Sequence, residues 1–179
     1  MKKLIDVNKY RKEIEREIEF CKYSHHCLTR LYGFVNDANQ DVFCFIYEFM
    51  CNGTLNSFVK NNPKKVNEIF ILNTINRIFQ GIDYIHSNSL IHRDLKPFNI
   101  LLDHDFIPFI SDFDTIRPPK LDENEQITNN IGTFYSSPEQ LDGGFVSYPT
   151  DIYSFGLIVY FLNEKNDFKN PEILSKENR

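Results

Sequence analysis

The chain has 179 residues, of which 41% are hydrophobic and 25% are charged, proportions typical of a globular domain. Its net charge of -5 argues against nucleic acid or an anionic membrane surface as the main partner. No apolar run approaches the roughly 20 residues that a membrane helix needs, and the N-terminus lacks an apolar signal core. We therefore expect a cytoplasmic protein that binds neither nucleic acid nor membrane.

The first predicted elements are one helix, two strands and a second, short helix. Residues 11–22 carry apolar side chains at i, i+4 and i+7 among charges, which is typical of an amphipathic helix. Segments 28–37 and 41–50 are rich in aromatic and aliphatic residues and flank a polar turn, which indicates a pair of strands. A Gly-containing loop follows, and it leads into a short helix that ends near residue 61.

The longest predicted helix spans residues 68–87, and Asn67 can cap its N-terminus. Isoleucines recur along it in steps of four and three, and Leu72 and Phe79 widen the apolar stripe. The isoleucines are Ile71, Ile75, Ile78, Ile82 and Ile85. So many isoleucines on one helix imply burial against a large core.

The remaining elements are two short strands, a long loop and a last helix. The sequences "NILLD" and "FIPFI" predict the strands, and residues 114–150 read as a loop of a length that is usually functional or disordered. The last helix is predicted for residues 150–162. One side of it carries Ile152, Phe155, Val159 and Leu162. We expect this face to be half covered, and hence a marginally stable protein or one that needs a stabilising protein partner.

Four cysteines are present, and no two of them have C-x-x-C spacing. A zinc site formed by Cys21, His25, His26 and Cys27 is one interpretation, but structural zinc usually requires a second ordered pair of ligands. Buried free thiols in a reducing compartment are the interpretation that we favour.

Two aspartates, one asparagine and one lysine lie close together in the sequence. Asp94 and Asn99 are five positions apart, Asp112 follows thirteen positions later, and Lys96 lies between the first two. Carboxylate and amide oxygens suit magnesium, and a lysine can neutralise a phosphate. The set in this order predicts phosphoryl transfer, which depends on positioning and charge neutralisation.

Six segments, in chain order, resemble motifs of the eukaryotic protein kinase family. "HRDLKPFN" (92–99) resembles the catalytic loop, and "SDFD" (111–114) resembles the Asp-Phe-Gly segment. The others resemble helix C with the strand after it, the hinge, the end of the activation segment and the start of the buried C-lobe helix. They are "REIEFCKYSHHCLTRLYGF" (16–34), "IYEFMCNGTL" (46–55), "GTFYSSPE" (132–139) and "DIYSFG" (151–156). The resemblance covers about residues 1–162.

The resemblance implies a role for each residue that matches a family motif. Asp94 would be the catalytic base that accepts the proton of the substrate hydroxyl, and Lys96 would contact the transferred phosphate, as is typical of the Ser/Thr branch. Asn99 and Asp112 would hold Mg²⁺. The adenine of ATP would meet backbone groups of Glu48 to Met50, with Tyr47 as the gatekeeper.

Other matched residues would support the site. Phe113, His92, Cys21 and Leu31 would form an apolar column that links the two lobes. Asp151 would anchor the catalytic loop, and Arg93 would pair with a phosphate on the activation loop. The candidate phosphorylation sites are Thr115, Thr128 and Thr133.

The chain departs from the family pattern at its N-terminus. No G-x-G-x-x-G occurs, and there is no room for one before residue 1. Lys2 is the best candidate for the family's strand lysine, with Glu17 as its partner, although Lys2 reads equally well as an ordinary N-terminal lysine. The neighbours Glu13, Glu15 and Glu19 are alternatives to Glu17.

We expect an α+β fold, a truncated bilobal kinase domain with ATP and Mg²⁺ between the lobes. An N-lobe remnant would span 1–50, a partial C-lobe 51–162 and a polar tail 163–179. The leading hypothesis is a Ser/Thr protein kinase that phosphorylates a protein substrate. A non-catalytic interaction protein is the alternative, because the Gly-rich loop is missing. A small-molecule phosphotransferase is a third, because Asp114 replaces the usual Gly and could add a metal ligand, although "LKP" and "SPE" argue against that class.

Overall fold

In the computed structural model, residues 2–5, 11–20, 22–37, 42–119 and 134–165 are described. Strands and helices follow one another along these segments. They are β1 (Lys2–Ile5), α1 (Arg11–Phe20), β2 (Leu31–Asp37), β3 (Val42–Tyr47), α2 (Leu55–Asn61), α3 (Glu68–Ser87), β4 (Ile100–Leu102), β5 (Pro108–Ile110), α4 (Pro138–Leu141) and α5 (Tyr148–Glu164). A small sheet region followed by a mainly helical region confirms the predicted α+β class.

The N-terminal sheet has the strand order β1-β3-β2, and both pairs are antiparallel. In the register of the sheet, Phe45 of the central strand β3 pairs with Lys2 of β1 on one side and with Phe34 of β2 on the other. Helix α1 covers one face of the sheet, where Ile14 packs with Phe43 and Phe45 in a small core. This packing follows from the alternation of side chains along each strand and the apolar stripe along the helix. The sheet and α1 together place Glu17 and Tyr47 at the cleft between the sheet and the helical region.

Helix α3 has the bounds and the cap that the sequence predicts. The Asn67 side chain accepts a hydrogen bond from the Phe70 N–H at 2.9 Å, and the buried face includes Ile78, Ile82 and Ile85. The helix packs against β5 and α5 in the main core. The expectation that Leu72 and Phe79 widen the buried stripe is wrong: they are 65% and 52% exposed. Phe79 still lies near Phe155 of α5, with ring centroids 6.4 Å apart, but this contact leaves half of its surface exposed.

Helix α5 begins two residues before the predicted start, and its buried face is partly polar. Its buried side chains are Thr150, Asp151, Ser154, Ile158, Phe161 and Leu162. The Ser154 hydroxyl donates to the Tyr135 carbonyl at 2.6 Å. The predicted apolar side is half covered, because Ile152 is 47% exposed while Phe155 and Val159 are half-buried. Among the described residues, no helix is both long and apolar enough to cross a membrane.

The cysteines in the described segments form no disulfide. Their burial differs, however: Cys27 is buried, Cys44 is half-buried and Cys51 is exposed. The expectation of burial is therefore wrong for Cys51, which follows β3 at a turn. Cys21 lies outside the described residues.

Candidate active site

The segment between α3 and β4 brings an aspartate, a lysine and an asparagine into direct contact. Lys96 Nζ lies 2.6 Å from Asp94 Oδ2, and Asn99 Nδ2 donates to the same oxygen at 3.0 Å and to the Asp94 carbonyl at 2.8 Å. Pro97 begins a single 3-10 turn that carries Asn99 back towards Asp94. Because the Asn99 amide nitrogen is used by Asp94, its side-chain oxygen is the atom left to face a ligand.

Asp112 lies beside this triad, directly after β5. The Asn99 carbonyl accepts hydrogen bonds from the N–H and the hydroxyl of Ser111, both at 2.9 Å, which ties the two loops together. Asp112 has a φ of 68°, a left-handed conformation that is costly for a residue with a Cβ. Asn99 and Asp112 line the same cavity of about 420 Å³, between the sheet and the helical region. The two oxygen-bearing side chains therefore face one space.

A buried carboxylate on α5 fixes the backbone of the catalytic loop. Asp151 is 1% exposed, and its two oxygens accept hydrogen bonds from the N–H groups of His92 at 2.8 Å and Arg93 at 2.9 Å. His86 Nε2 lies 2.9 Å from the same carboxylate. Arg93 has a φ of 72°, so these bonds hold a left-handed residue just before Asp94. The anchoring that the resemblance implies for Asp151 is present.

Glu17 is the buried one among the glutamates of α1 whose side chains the structure describes. It is 1% exposed, while Glu15 and Glu19 are exposed. The Tyr47 hydroxyl donates a hydrogen bond to the Glu17 carboxylate, and both residues line the cavity that contains Asn99 and Asp112. Lys2 lies in β1, opposite Phe45 of β3, so the backbone of β1 runs beside the strand that carries Tyr47. The predicted Lys2 pairing remains a prediction.

The strand that ends at Tyr47 leads into the predicted hinge. Glu48, Phe49 and Met50 are among the residues that line the 420 Å³ cavity. The Glu48 N–H donates to the Arg30 carbonyl at 2.8 Å, which holds the hinge against the start of β2. Met50 is buried, and Phe49 is 84% exposed. The cavity is therefore lined both by the predicted hinge and by the polar residues Asn99 and Asp112.

Part of the predicted apolar column is in contact. Phe113 lies against His92, with ring centroids 5.9 Å apart, and against Phe20, with centroids 4.3 Å apart. Phe20, the last residue of α1, was not among the predicted members. Leu31 packs instead against the small core beneath the sheet.

Several contacts around the catalytic loop were missed by the sequence analysis, because they join residues distant in the chain. Gln140 Nε2 donates to the Arg93 carbonyl at 2.7 Å, and Arg16 Nη1 donates to the Asp114 carbonyl at 2.7 Å. The Thr115 hydroxyl donates to the His92 carbonyl at 2.8 Å. No local pattern marks these pairs. Of the predicted phosphorylation sites, Thr128 and Thr133 lie outside the described residues.

The segment that contains α4 was predicted as loop throughout, and it carries one perturbed carboxyl group. Burial raises the pKa of Glu139 most strongly, but hydrogen bonds from its own backbone and from Ser137 and Thr150 outweigh this and leave the pKa below its usual value. The Thr150 hydroxyl donates to Glu139 Oε1 at 2.8 Å. Glu139 thereby links α4 to the start of α5, beside the residue that anchors the catalytic loop.

The donor set and the cavity fit a magnesium-bound nucleotide. An amide oxygen and a carboxylate are ligands that Mg²⁺ prefers, and it usually binds through one or two carboxylates together with substrate phosphates. The volume of about 420 Å³ lies within the range of small-molecule sites, about 300–1,000 Å³. Asp94, Lys96 and Asp114 are not among the residues that line this cavity.

Comparison with known proteins agrees with this geometry. Three Arabidopsis thaliana proteins are similar to most of the chain. Cysteine-rich receptor-like protein kinase 10 is 39% identical over 157 residues, with 80% of this chain and 23% of that protein covered. Cysteine-rich receptor-like protein kinase 34 is 40% identical over 146 residues, covering 77% and 21%, and kinase 38 is 33% identical over 157 residues, covering 80% and 24%. The chain thus spans less than a quarter of the length of these relatives. The family model of the protein kinase domain matches residues 1–178, and the chain belongs to that family.

Proposed function

We propose that this chain forms the catalytic centre of a Ser/Thr protein kinase, which transfers the γ-phosphate of ATP to a hydroxyl group of a protein substrate. Family membership supports a protein kinase, and the Ser/Thr type is our inference from Lys96. A lysine two residues after the base is typical of that branch, and here it lies 2.6 Å from the Asp94 carboxylate. We further propose that the protein acts inside the cell, where ATP is available.

The observation that carries the proposal is the contact of three polar side chains, one of which, Asn99, lines the cavity. Asp94 Oδ2 receives both Lys96 Nζ and Asn99 Nδ2, and Asn99 shares the cavity with Asp112. A purely structural loop needs no such convergence of carboxylates, an amide and a lysine. Phosphoryl transfer needs it, because its catalysis is mostly positioning and charge stabilisation.

Each of these side chains then has a defined role. Asp94 orients the substrate hydroxyl and accepts its proton. Lys96 holds Asp94 in place and offers positive charge to the phosphate, while Asn99 and Asp112 hold Mg²⁺ through oxygen atoms. Mg²⁺ supplies neutralisation of the phosphate charge in the complex.

The other end of the cavity would bind the base of the nucleotide. Because the Glu48 N–H already donates to Arg30, we propose that the Glu48 carbonyl accepts the adenine amino group and that the Met50 backbone completes the recognition. Lys2 and Glu17 would form the lysine–glutamate pair that holds the α- and β-phosphates. Tyr47, which donates to Glu17, would keep that carboxylate aimed at the cleft.

Magnesium-dependent ATP binding tests the site. ATP with magnesium should raise the unfolding temperature of the chain, because a ligand at a hundred times its dissociation constant stabilises the folded state by about 2.7 kcal/mol. ATP with a chelator should give a smaller shift. Asp112→Asn should lose the magnesium-dependent part, and the matched control Asp105→Asn, a surface aspartate whose side chain is 66% exposed, should keep it.

The non-catalytic alternative predicts the opposite outcome. A folded chain that shows no shift with ATP, with or without magnesium, would favour a kinase-like interaction protein and overturn the proposal. A shift that survives in Asp112→Asn would mean that the nucleotide binds elsewhere or without the proposed metal ligand.

A further inference from the structure

A second cluster of side chains that could hold a metal ion lies in the loop between α1 and β2. His25, His26 and Cys27 are consecutive residues of the loop between α1 and β2. One potential ligand atom of each lies within 4.8 Å of those of the other two. The catalytic chemistry described above uses none of them. Two imidazoles and a thiol are the ligands typical of zinc, in contrast to the oxygen ligands at Asn99 and Asp112.

A fourth donor comes from α3. Gln80 Oε1 lies 3.1 Å from His26 Nε2 and 3.6 Å from Cys27 Sγ. A side-chain amide oxygen is thus already in contact with two of the three ligands. Four donors of this kind match the coordination number of zinc, which is almost always four and tetrahedral at structural sites.

The backbone of the loop is held in place without any metal. The Cys27 carbonyl accepts the Ile110 N–H at 2.8 Å, and the Thr29 N–H donates to the Ile110 carbonyl at 2.9 Å. Arg77 on α3 donates to the His26 carbonyl, so its guanidinium is directed towards a backbone oxygen. A loop fixed at both sides loses little further freedom when a metal binds, and this favours affinity.

The geometry needs only small side-chain movements. With one sulfur ligand, tetrahedral bonds of about 2.0 Å to nitrogen and 2.3 Å to sulfur place ligand atoms about 3.3–3.5 Å apart. The ligand atoms of His25, His26 and Cys27, which lie within 4.8 Å of one another, therefore have to approach by at most about 1.5 Å. Cys27 is 1% exposed while His26 is exposed. The cluster thus has a dry thiol side and an open imidazole side through which a cation can enter.

We propose that His25, His26, Cys27 and Gln80 form a zinc site that ties the loop after α1 to helix α3. On binding, the Cys27 thiol releases its proton to solvent and its sulfur bonds to Zn²⁺, while each imidazole contributes the lone pair of one nitrogen. The Gln80 amide oxygen exchanges its contacts with His26 and Cys27 for a bond to the cation. The site is a structural clamp, because all four positions are filled by the protein.

The test uses the full chain and three cations, Zn²⁺, Mg²⁺ and Co²⁺, without any nucleotide. Zn²⁺ should raise the unfolding temperature at a stoichiometry of one, and Mg²⁺ at the same concentration should not. Co²⁺ should bind with a thiolate-to-cobalt charge-transfer absorption and the strong visible bands of a tetrahedral site, and Zn²⁺ should displace it. His26→Asn keeps an exposed polar residue, so the fold should be retained. It should weaken Zn²⁺ binding at least about 10–100-fold, because removing even a residue that only hydrogen-bonds to a metal ligand has an effect of that size.

Matched controls separate this site from chance binding. Cys51→Ala removes an exposed cysteine, and His104→Asn removes an exposed histidine; both should bind Co²⁺ as the wild type does. Cys27→Ala should abolish the charge-transfer absorption. The proposal is overturned if Co²⁺ binds without that absorption, if Cys51→Ala removes it, or if His26→Asn binds Zn²⁺ as tightly as the wild type.

Discussion

Asp151→Asn should destabilise the protein although it changes only one atom of a buried side chain. The carboxylate accepts three hydrogen bonds, from His92, Arg93 and His86, at 2.8–2.9 Å. Asparagine keeps one acceptor oxygen and replaces the other by an NH₂ group, which cannot accept a hydrogen bond. This group would face either the N–H of Arg93 or the donors of His92 and His86. One charge-assisted bond is worth about 1.5–3 kcal/mol, and a stranded buried N–H costs about 1–3 kcal/mol. Because these terms overlap, we expect a loss of about 3 kcal/mol.

The free energy of unfolding, measured by urea denaturation of Asp151→Asn and of the wild type, checks this value. Asp105→Asn is the matched control, since the Asp105 side chain is 66% exposed and pairs only with His104 among the salt bridges of the described residues. An exposed pair of this kind contributes about 0–1 kcal/mol. If Asp151→Asn loses no more stability than the control, the carboxylate does not hold the catalytic loop and the reasoning is refuted.

Four further substitutions test individual packing, capping and carboxylate contacts. Gly81→Ala would place a Cβ 2.6 Å from Ile110 Cδ1 in the core and should lower the free energy of unfolding by about 1–3 kcal/mol. Gly156→Ala in α5 meets nothing within 4 Å and should raise the free energy of unfolding by up to about 1 kcal/mol, measured by the same urea denaturation. Asn67→Ala should cost about 1 kcal/mol of unfolding free energy through loss of the α3 cap; no loss would mean that the cap is not formed in solution. The lowered pKa of Glu139 means that its contribution is present above the unfolded value of about 4.3 and disappears as pH falls through the folded pKa. Glu139→Gln should therefore be less stable than the wild type near neutral pH but not in acid, and a stability gap that stays constant with pH would contradict this.

The elements that the sequence predicts well are those with a strong local signal. Helix α3 combines regular isoleucine spacing with an asparagine cap, and its bounds agree with the structure. The flanks of the same helix were predicted wrongly, because spacing alone cannot tell whether Leu72 and Phe79 face a neighbour. Helix α4 was missed because it has only four residues, Pro138–Leu141, although Ser137 and Gln140 form a capping box around its start.

The same distinction between local and long-range signals holds for the candidate site. Asp94, Lys96 and Asn99 lie within one loop, so the order of the residues was enough to predict that they meet. Contacts such as Gln140 with the Arg93 carbonyl depend on how distant segments pack, and no local pattern encodes them. The approach of Gln80 to the loop at His26 and Cys27 is of the same kind, and it adds a donor that was not part of the zinc site considered from the sequence, which consisted of Cys21, His25, His26 and Cys27.

Transfer of labelled γ-phosphate from ATP to a mixture of Ser- and Thr-containing protein substrates tests the central claim most directly. The chain with magnesium should incorporate label, and Asp94→Asn, prepared in the same way, should lose at least about 100-fold of that rate, since general-base catalysis contributes about 10²–10⁴-fold. Asp105→Asn should match the wild type. Equal incorporation by wild type and Asp94→Asn would contradict the assignment of Asp94 as the base, and with it the account of this cavity as a phosphoryl-transfer site.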